Sequence, residues 1–163
     1  MPIRAARADD VAEVRRCVFD AYAVYLSRLD RPPAPLADDY GAAVRNGGVF
    51  LDDEGGLRGV IVLVPHPDHL EVRNLAVRPE FQGQGVGSGL LVFADARARA
   101  LGRTELRLCT NEAMVENLRF YARRDFREVD RRVEDGYRRV FFVKTVDRPR
   151  RARGRARAAP ARR

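Results

Sequence analysis

The chain has 163 residues, 45% of them apolar, and a formal net charge of +8. Its length suits one domain around one core, and no apolar run approaches the ~18 residues that a membrane span needs. Cys17 and Cys109 lie far apart with no C-x-x-C spacing, and His66 and His69 join no Cys/His cluster, which argues against a disulfide framework and a metal site.

The charge is unevenly placed. Residues 148–163 hold eight arginines and no acid, so residues 1–147 are formally neutral. The basicity belongs to a tail too polar to bury anything, which is expected to be disordered. Lys144 is the single lysine, which reads as a coding bias rather than a phosphate-binding choice. The opening residues lack an apolar h-region, so no secretory leader is expected. Two reduced thiols then suit a cytoplasmic protein, and Cys109, inside an apolar strand, is expected as a small core residue.

In chain order, Pro2 to Ala5 suits a short strand. Asp9 or Asp10 offers a helix N-cap, with Glu13 placed as in a capping box. The helix that follows sets Val11, Val14, Val18, Ala21, Tyr22, Tyr25 and Leu29 on one face and ends at Arg31-Pro32-Pro33-Ala34-Pro35, where prolines forbid its continuation. A second helix is expected around Ala37 to Arg45. Strands follow at Val49–Leu51 and Leu57–Val64, joined by a turn at Asp52–Gly56. His66 and His69 fall in a loop interrupted by prolines, which reads as solvated rather than as a ligand pair.

The next strand, Leu70–Val77, changes parity: Leu70 and Val72 are apolar at even positions, Leu75 and Val77 at odd ones. Either a β-bulge shifts the alternation or the strand end is buried on both faces. Pro79 breaks the strand, and glycines stand at 83, 85, 87 and 89 before a helical pattern carried by Val86, Leu90, Phe93, Ala94 and Leu101, with Gly102 as its C-cap. Strand, glycine-rich turn and helix together make an anion site: main-chain N–H groups converge, and the first helical turn leaves its own unpaired at the positive end of the dipole. The dinucleotide spacing G-x-G-x-x-G is not met, and no lysine follows these glycines as a triphosphate loop requires.

Beyond the helix, Thr104–Thr110 alternates as a strand with Leu106 and Leu108 on one side. Glu112–Arg124 is helical, with Met114, Leu118, Tyr121 and Ala122 on one stripe. Strands are expected at Phe126–Arg132 and Arg138–Thr145 around a turn at Glu134-Asp135-Gly136. The order is βαα-βββ-αβ-αββ: an antiparallel meander, then a crossover helix to a parallel neighbour.

Gln82-x-x-Gly85-x-Gly87, directly after a strand ending Leu75-Ala76-Val77-x-Pro79, resembles the acyl-CoA loop of the GNAT superfamily of N-acyltransferases. The segments Leu108–Met114, Glu116-Asn117, Tyr121, Phe126 and Gly136–Val140 resemble a bacterial small-molecule subgroup of that family. The resemblance covers residues 1–147 and implies an α/β (α+β) fold: a mixed, largely antiparallel sheet of six to seven strands, flanked by about four helices and splayed around a CoA slot. It favours the bulge reading of Leu70–Val77. It implies transfer of an acetyl group from acetyl-CoA to an amine by direct attack in a ternary complex. The amine is expected to be a small molecule, with no membrane partner, and a homodimer is compatible.

Carried over residue by residue, the family pattern assigns the cofactor to Leu75, Ala76, Val77, Gln82, Gly83, Gln84, Gly85, Val86, Gly87 and Ser88, with an N–H near Leu75 or Ala76 facing the thioester oxygen. Tyr121 matches the family's general acid in Tyr-x-x-x-Gly-Phe, with Asp125 in place of the glycine, a residue that tolerates left-handed φ. The cofactor-contacting asparagine falls on Met114 here, so Asn117 or Asn111 is open as its substitute. Glu71 stands where several members carry a general base, and equally reads as a solvent-facing strand residue. The acceptor site belongs to the first two helices and their linker, where Tyr22, Tyr25, Asp38 and Tyr40 suit a cationic amine. Two other functions fit the sequence: a catalytically silent acyl-CoA sensor, and polyanion or nucleic-acid binding through the arginine tail.

Overall fold

The computed structural model describes residues 3–147. The expected arginine tail, with any polyanion binding assigned to it, lies outside the described residues. Seven strands form one sheet in the order β1-β2-β3-β4-β5-β7-β6. They are β1 (Ile3–Ala5), β2 (Val49–Asp52), β3 (Gly59–Pro65), β4 (Leu70–Val77), β5 (Glu105–Asn111), β6 (Arg127–Glu134) and β7 (Tyr137–Thr145); the helices are α1 (Val11–Tyr22), α2 (Tyr40–Arg45), α3 (Val86–Ala100) and α4 (Val115–Ala122). The expected element order holds throughout. β4 and β5 are parallel, linked by α3, and every other pairing is antiparallel.

Two apolar layers cover the sheet. On one face α3, with Leu90, Leu91, Ala94 and Ala98, packs on Ile61, Leu70, Val72, Leu106, Leu108 and Phe142. On the other, α1 and α2 pack Val14, Cys17, Val18, Tyr22 and Tyr40 on Val49, Leu51, Val60, Val62 and Ala76. α3 lies close on β3: a Cβ added to Gly59 would stand 2.8 Å from Val86 Cγ1.

The parity change in β4 is a bulge. Val62 pairs with Asn74 and Leu63 with Val72, which leaves Arg73 outside the ladder. Leu70, Val72, Leu75 and Val77 therefore all face the α3 layer, while Ala76 faces α1.

Four expectations are corrected. The first helix ends at Tyr22 and tightens into a 3-10 turn at Ala23–Tyr25, well before the prolines. Past that turn, Arg28 pairs with Glu116 of α4 at 2.8 Å. Asp10 stands at the N-cap position of α1 but gives that helix no side-chain bond; its carboxylate turns back to the Arg7 N–H (2.7 Å), closing the 3-10 turn at Ala8–Asp10, and is gripped by Arg4 (2.8 Å). The second helix is split by extended Asp38 into a 3-10 turn at Ala34–Ala37 and α2, whose first turn Asp39 caps through the Ala42 N–H at 2.9 Å. Cys109 is exposed, whereas Cys17 is buried. Since Leu106 and Leu108 face α3, alternation puts Cys109 on the opposite face, where it lines a cavity instead of the core.

Candidate active site

The site begins where the sheet comes apart. β4 and β5 pair only at Leu70–Leu106 and Glu71–Arg107. Beyond that rung the strands diverge, and the edge of β4 from Val72 onward has no ladder partner on the β5 side.

The glycine loop closes one end of this gap. Gln82 donates its side-chain amide to Val77 O (3.1 Å) and Gln84 to Glu80 O (3.0 Å), folding the loop on itself. Gly83 and Gly85 adopt φ of 75° and 83°, a region that costs other residues strain, with nothing within 4 Å of where a Cβ would stand. Gly87 serves contact instead, because its Cβ would lie 3.0 Å from Phe120 Cζ. Among the described residues no acceptor takes the N–H groups of Gly83 through Ser88, and the first α3 bond to this segment runs from Gly89 to Gly85 O. Free donors at a helix N-terminus fit a diphosphate.

Arg124, which the sequence reading missed, completes this end. Its Nε and Nη2 donate to Ser88 Oγ at 2.9 and 2.7 Å, Nη1 donates to Phe120 O at 2.8 Å, and the guanidinium lies 3.6 Å from the Phe120 ring centroid. Burial, then neighbouring Arg123, lowers its pKa. The only signal in the sequence was its place three residues after Tyr121. Asp125 takes φ of 65°, as its substitution for glycine anticipates.

A cavity of about 340 Å³ runs along this loop, lined by Leu75, Val77, Gln82, Gly83, Gly85, Val86, Gly87, Ser88, Asn117, Tyr121 and Arg124. Three expected cofactor residues stand apart from it. Ala76 is buried toward α1, and Gln84 is tied to Glu80. Asn111 lines a second cavity, its Oδ1 accepting from the Ala113 N–H at 2.9 Å.

That second cavity, of about 160 Å³, opens on the far side of the gap among Tyr22, Asp38, Glu71, Arg73, Asn74, Cys109, Tyr137 and Arg139. The two cavities share Leu75, Asn117 and Tyr121. The Tyr121 ring is core, packed against Phe120, Phe126 and Phe142, yet its hydroxyl has no hydrogen-bond partner among the described residues. Burial pushes its pKa up, so the phenol stays protonated at neutral pH. Glu71 reaches this cavity with its carboxylate 3.1 Å from His66 Nε2. The loop histidines are less free than expected: their rings stack at 4.4 Å, and His69 Nδ1 meets Asp68 at 2.7 Å.

The four expected acceptor residues separate. Tyr22 and Asp38 line the smaller cavity, whereas Tyr25 lines the larger one. Tyr40 stands behind the wall: its hydroxyl donates to Pro35 O (2.7 Å) and accepts from Asn74 Nδ2 (2.9 Å), while Asn74 Oδ1 accepts from the Tyr22 hydroxyl (2.7 Å). This buried chain holds the linker to the bulge, and burial raises both tyrosine pKa values. Asp38 is not a free anion, since Arg73 Nη2 stands 3.4 Å away. The β6–β7 turn roofs the cavity through Tyr137, whose hydroxyl donates to Pro32 O at 2.7 Å, and Arg31, which donates to Asp135 O at 3.1 Å.

Residues 45–128 match the model of the acetyltransferase (GNAT) domain. The chain belongs to the GNAT acetyltransferase family. Solved GNAT-type structures superpose over most of it. PaiA N-acetyltransferase from Thermoplasma acidophilum, solved with coenzyme A, is similar with a TM-score of 0.73 at 16% identity, over 88% of this chain and 98% of that one. The ribosomal-protein-S18-alanine N-acetyltransferase of Escherichia coli gives 0.70 at 18% identity, over 91% and 95%. A GNAT family acetyltransferase from Elizabethkingia anophelis with acetyl-CoA bound gives 0.58 at 22% identity, over 69% and 85%. No curated protein matches the sequence. Acetyl-CoA is the cosubstrate of this GNAT family, and the free amides at Gly83–Ser88 beside an open strand edge fit it. Among the described residues no helix is long and apolar enough to cross a membrane.

Proposed function

We propose that this GNAT protein is an acetyl-CoA-dependent N-acetyltransferase that holds donor and a small amine together in a ternary complex for direct attack. The observation that carries this reading is the meeting of two cavities at Leu75, Asn117 and Tyr121, beside the point where β4 and β5 part. When bound, acetyl-CoA supplies an activated acetyl group and a thiolate leaving group.

The chain's own groups divide the remaining work. Main-chain N–H groups of Gly83–Ser88 and the positive end of α3 hold the diphosphate, with the charge of Arg124 beside them. The free edge of β4 from Val72 pairs with the amides of the pantetheine arm as an added strand would, and an N–H near Leu75 or Ala76 polarises the carbonyl. Glu71 takes the proton that an ammonium must lose before it is nucleophilic, and the Tyr121 hydroxyl donates a proton to the departing sulfur. His66 holds the Glu71 carboxylate at the cavity wall. The two unpaired cysteines support a reducing, cytoplasmic setting.

The test is thiol release from acetyl-CoA across a panel of amines. The expected result is amine-dependent release that Tyr121→Phe slows by about 10²-fold, the usual contribution of a positioned acid, with CoA affinity kept within twofold. Tight acetyl-CoA binding without release for any amine would replace the transferase by an acyl-CoA sensor.

A further inference from the structure

We propose that the acceptor is an amine that also bears a carboxylate, an amino-acid-like zwitterion, and that Arg73 and Arg139 receive its carboxylate. The inference rests on the transferase reading and adds the substrate class.

The charges around the smaller cavity carry it. Its walls present two carboxylates, Glu71 and Asp38, and two guanidiniums, Arg73 and Arg139. A polycationic amine would meet as much repulsion as attraction there, whereas a molecule with one charge of each sign finds a partner for both.

Both arginines have donors to spare. A guanidinium carries five N–H groups in a planar fork that suits a carboxylate. Arg73 spends one, on Asp38 at 3.4 Å, longer than the ~2.7–2.9 Å of a charge-assisted bond. Arg139 uses Nη1 alone, on Glu134 at 2.8 Å with Asp135 at 3.9 Å, although its side chain is only 19% exposed. Its Nε and Nη2 have no acceptor among the described residues, so both stay free to meet an anion that enters the cavity.

The fold aims both at the same space. Arg73 is the bulge residue of β4, outside the ladder with β3. Arg139 pairs with Asn111 at the end of β5, past the point where β4 and β5 part, and its guanidinium lies 5.4 Å from the ring centre of Tyr137, the roof residue. The volume, about 160 Å³ against about 340 Å³ for the donor cavity, suits a molecule of amino-acid size. With the carboxylate on the arginines, the amine is left for Glu71 and the junction at Tyr121.

The experiment compares matched acceptors, amino acids of several side-chain sizes and the amines left by removing their carboxylates, in the thiol-release assay on the full chain. The expected result is a kcat/KM at least tenfold higher for the acid-bearing member of a pair. Arg73→Gln and Arg139→Gln should each raise the acid-bearing member's KM about tenfold and change its decarboxylated twin by less than twofold. Arg139→Lys, which keeps the charge toward Glu134, controls for loss of the β6–β7 turn, and Arg73→Gln alters an exposed side chain with no fold to disturb. Decarboxylated twins used equally or better, or release from neither member of any pair, would overturn the inference. Calorimetry with acetyl-CoA separates the two failures: acetylation of plain amines leaves the transferase standing, whereas absence of acetyl-CoA binding removes that reading itself.

Discussion

The two ends of the cleft are built from different materials. The donor end is main chain: free N–H groups from Gly83 to Ser88, an unpaired edge on β4, and glycines whose absent side chains leave open space. The acceptor end is side chain, drawn from the linker (Tyr22, Asp38), the bulge (Arg73, Asn74) and the β6–β7 hairpin (Tyr137, Arg139), and tied by hydrogen bonds between segments about a hundred residues apart. A main-chain site can be destroyed only by adding something. A side-chain site is retuned by removing something, which is how one fold serves many acceptors.

Breaking the donor end should give the largest effect. Gly85→Val places a side chain where the protein leaves open space at φ of 83°, so it meets the ligand rather than a neighbour. The strain should cost ~1–2 kcal/mol of stability, while the acetyl-CoA Kd, read by calorimetry, rises at least a hundredfold. Arg124→Gln removes the charge beside Ser88 and should weaken CoA about tenfold, with the acceptor KM unchanged in steady-state kinetics.

The acceptor end should respond the other way round. Tyr137→Phe frees the roof from Pro32 O and should raise the acceptor KM about fivefold with CoA affinity intact, the loss of one hydrogen bond of about 1 kcal/mol. A change remote from both ends sets the baseline. The Arg4 guanidinium lowers the Asp10 carboxyl to about 2. A pKa depressed by folding adds stability above the unfolded value near ~3.9 and loses it as pH falls toward 2. Asp10→Asn should therefore lower Tm at pH 5, lose that difference near pH 2, and leave both Kd and KM untouched.

The same contrast explains what the sequence made legible. The donor end announces itself because its chemistry is a local pattern: a strand, a proline, glycines at fixed spacing and a helix, all within Leu75–Leu91. The bulge was visible as a parity change in Leu70–Val77, and the left-handed turn at Asp125 as a substitution for glycine. The acceptor end has no such pattern. Sequence alone suits Tyr40 and Asp38 to a cationic amine, whereas the Tyr40 hydroxyl is spent on Pro35 and Asn74 and Asp38 has Arg73 beside it. Arg139 and Tyr137 drew no assignment, since only strand pairing brings residue 139 against the end of β5. Cys109 was misplaced although alternation alone, with Leu106 and Leu108 inward, would have turned it outward.

The central claim is that main-chain amides of the glycine loop receive the diphosphate of CoA beside the diverging strands. Titrating ¹⁵N-labelled protein with CoA and following each amide resonance tests it directly. The account predicts the largest shifts at Gly83–Ser88, with smaller ones at Leu75 and Asn117 and little change along β6. Saturable binding that leaves the resonances of Gly83–Ser88 unmoved would contradict it.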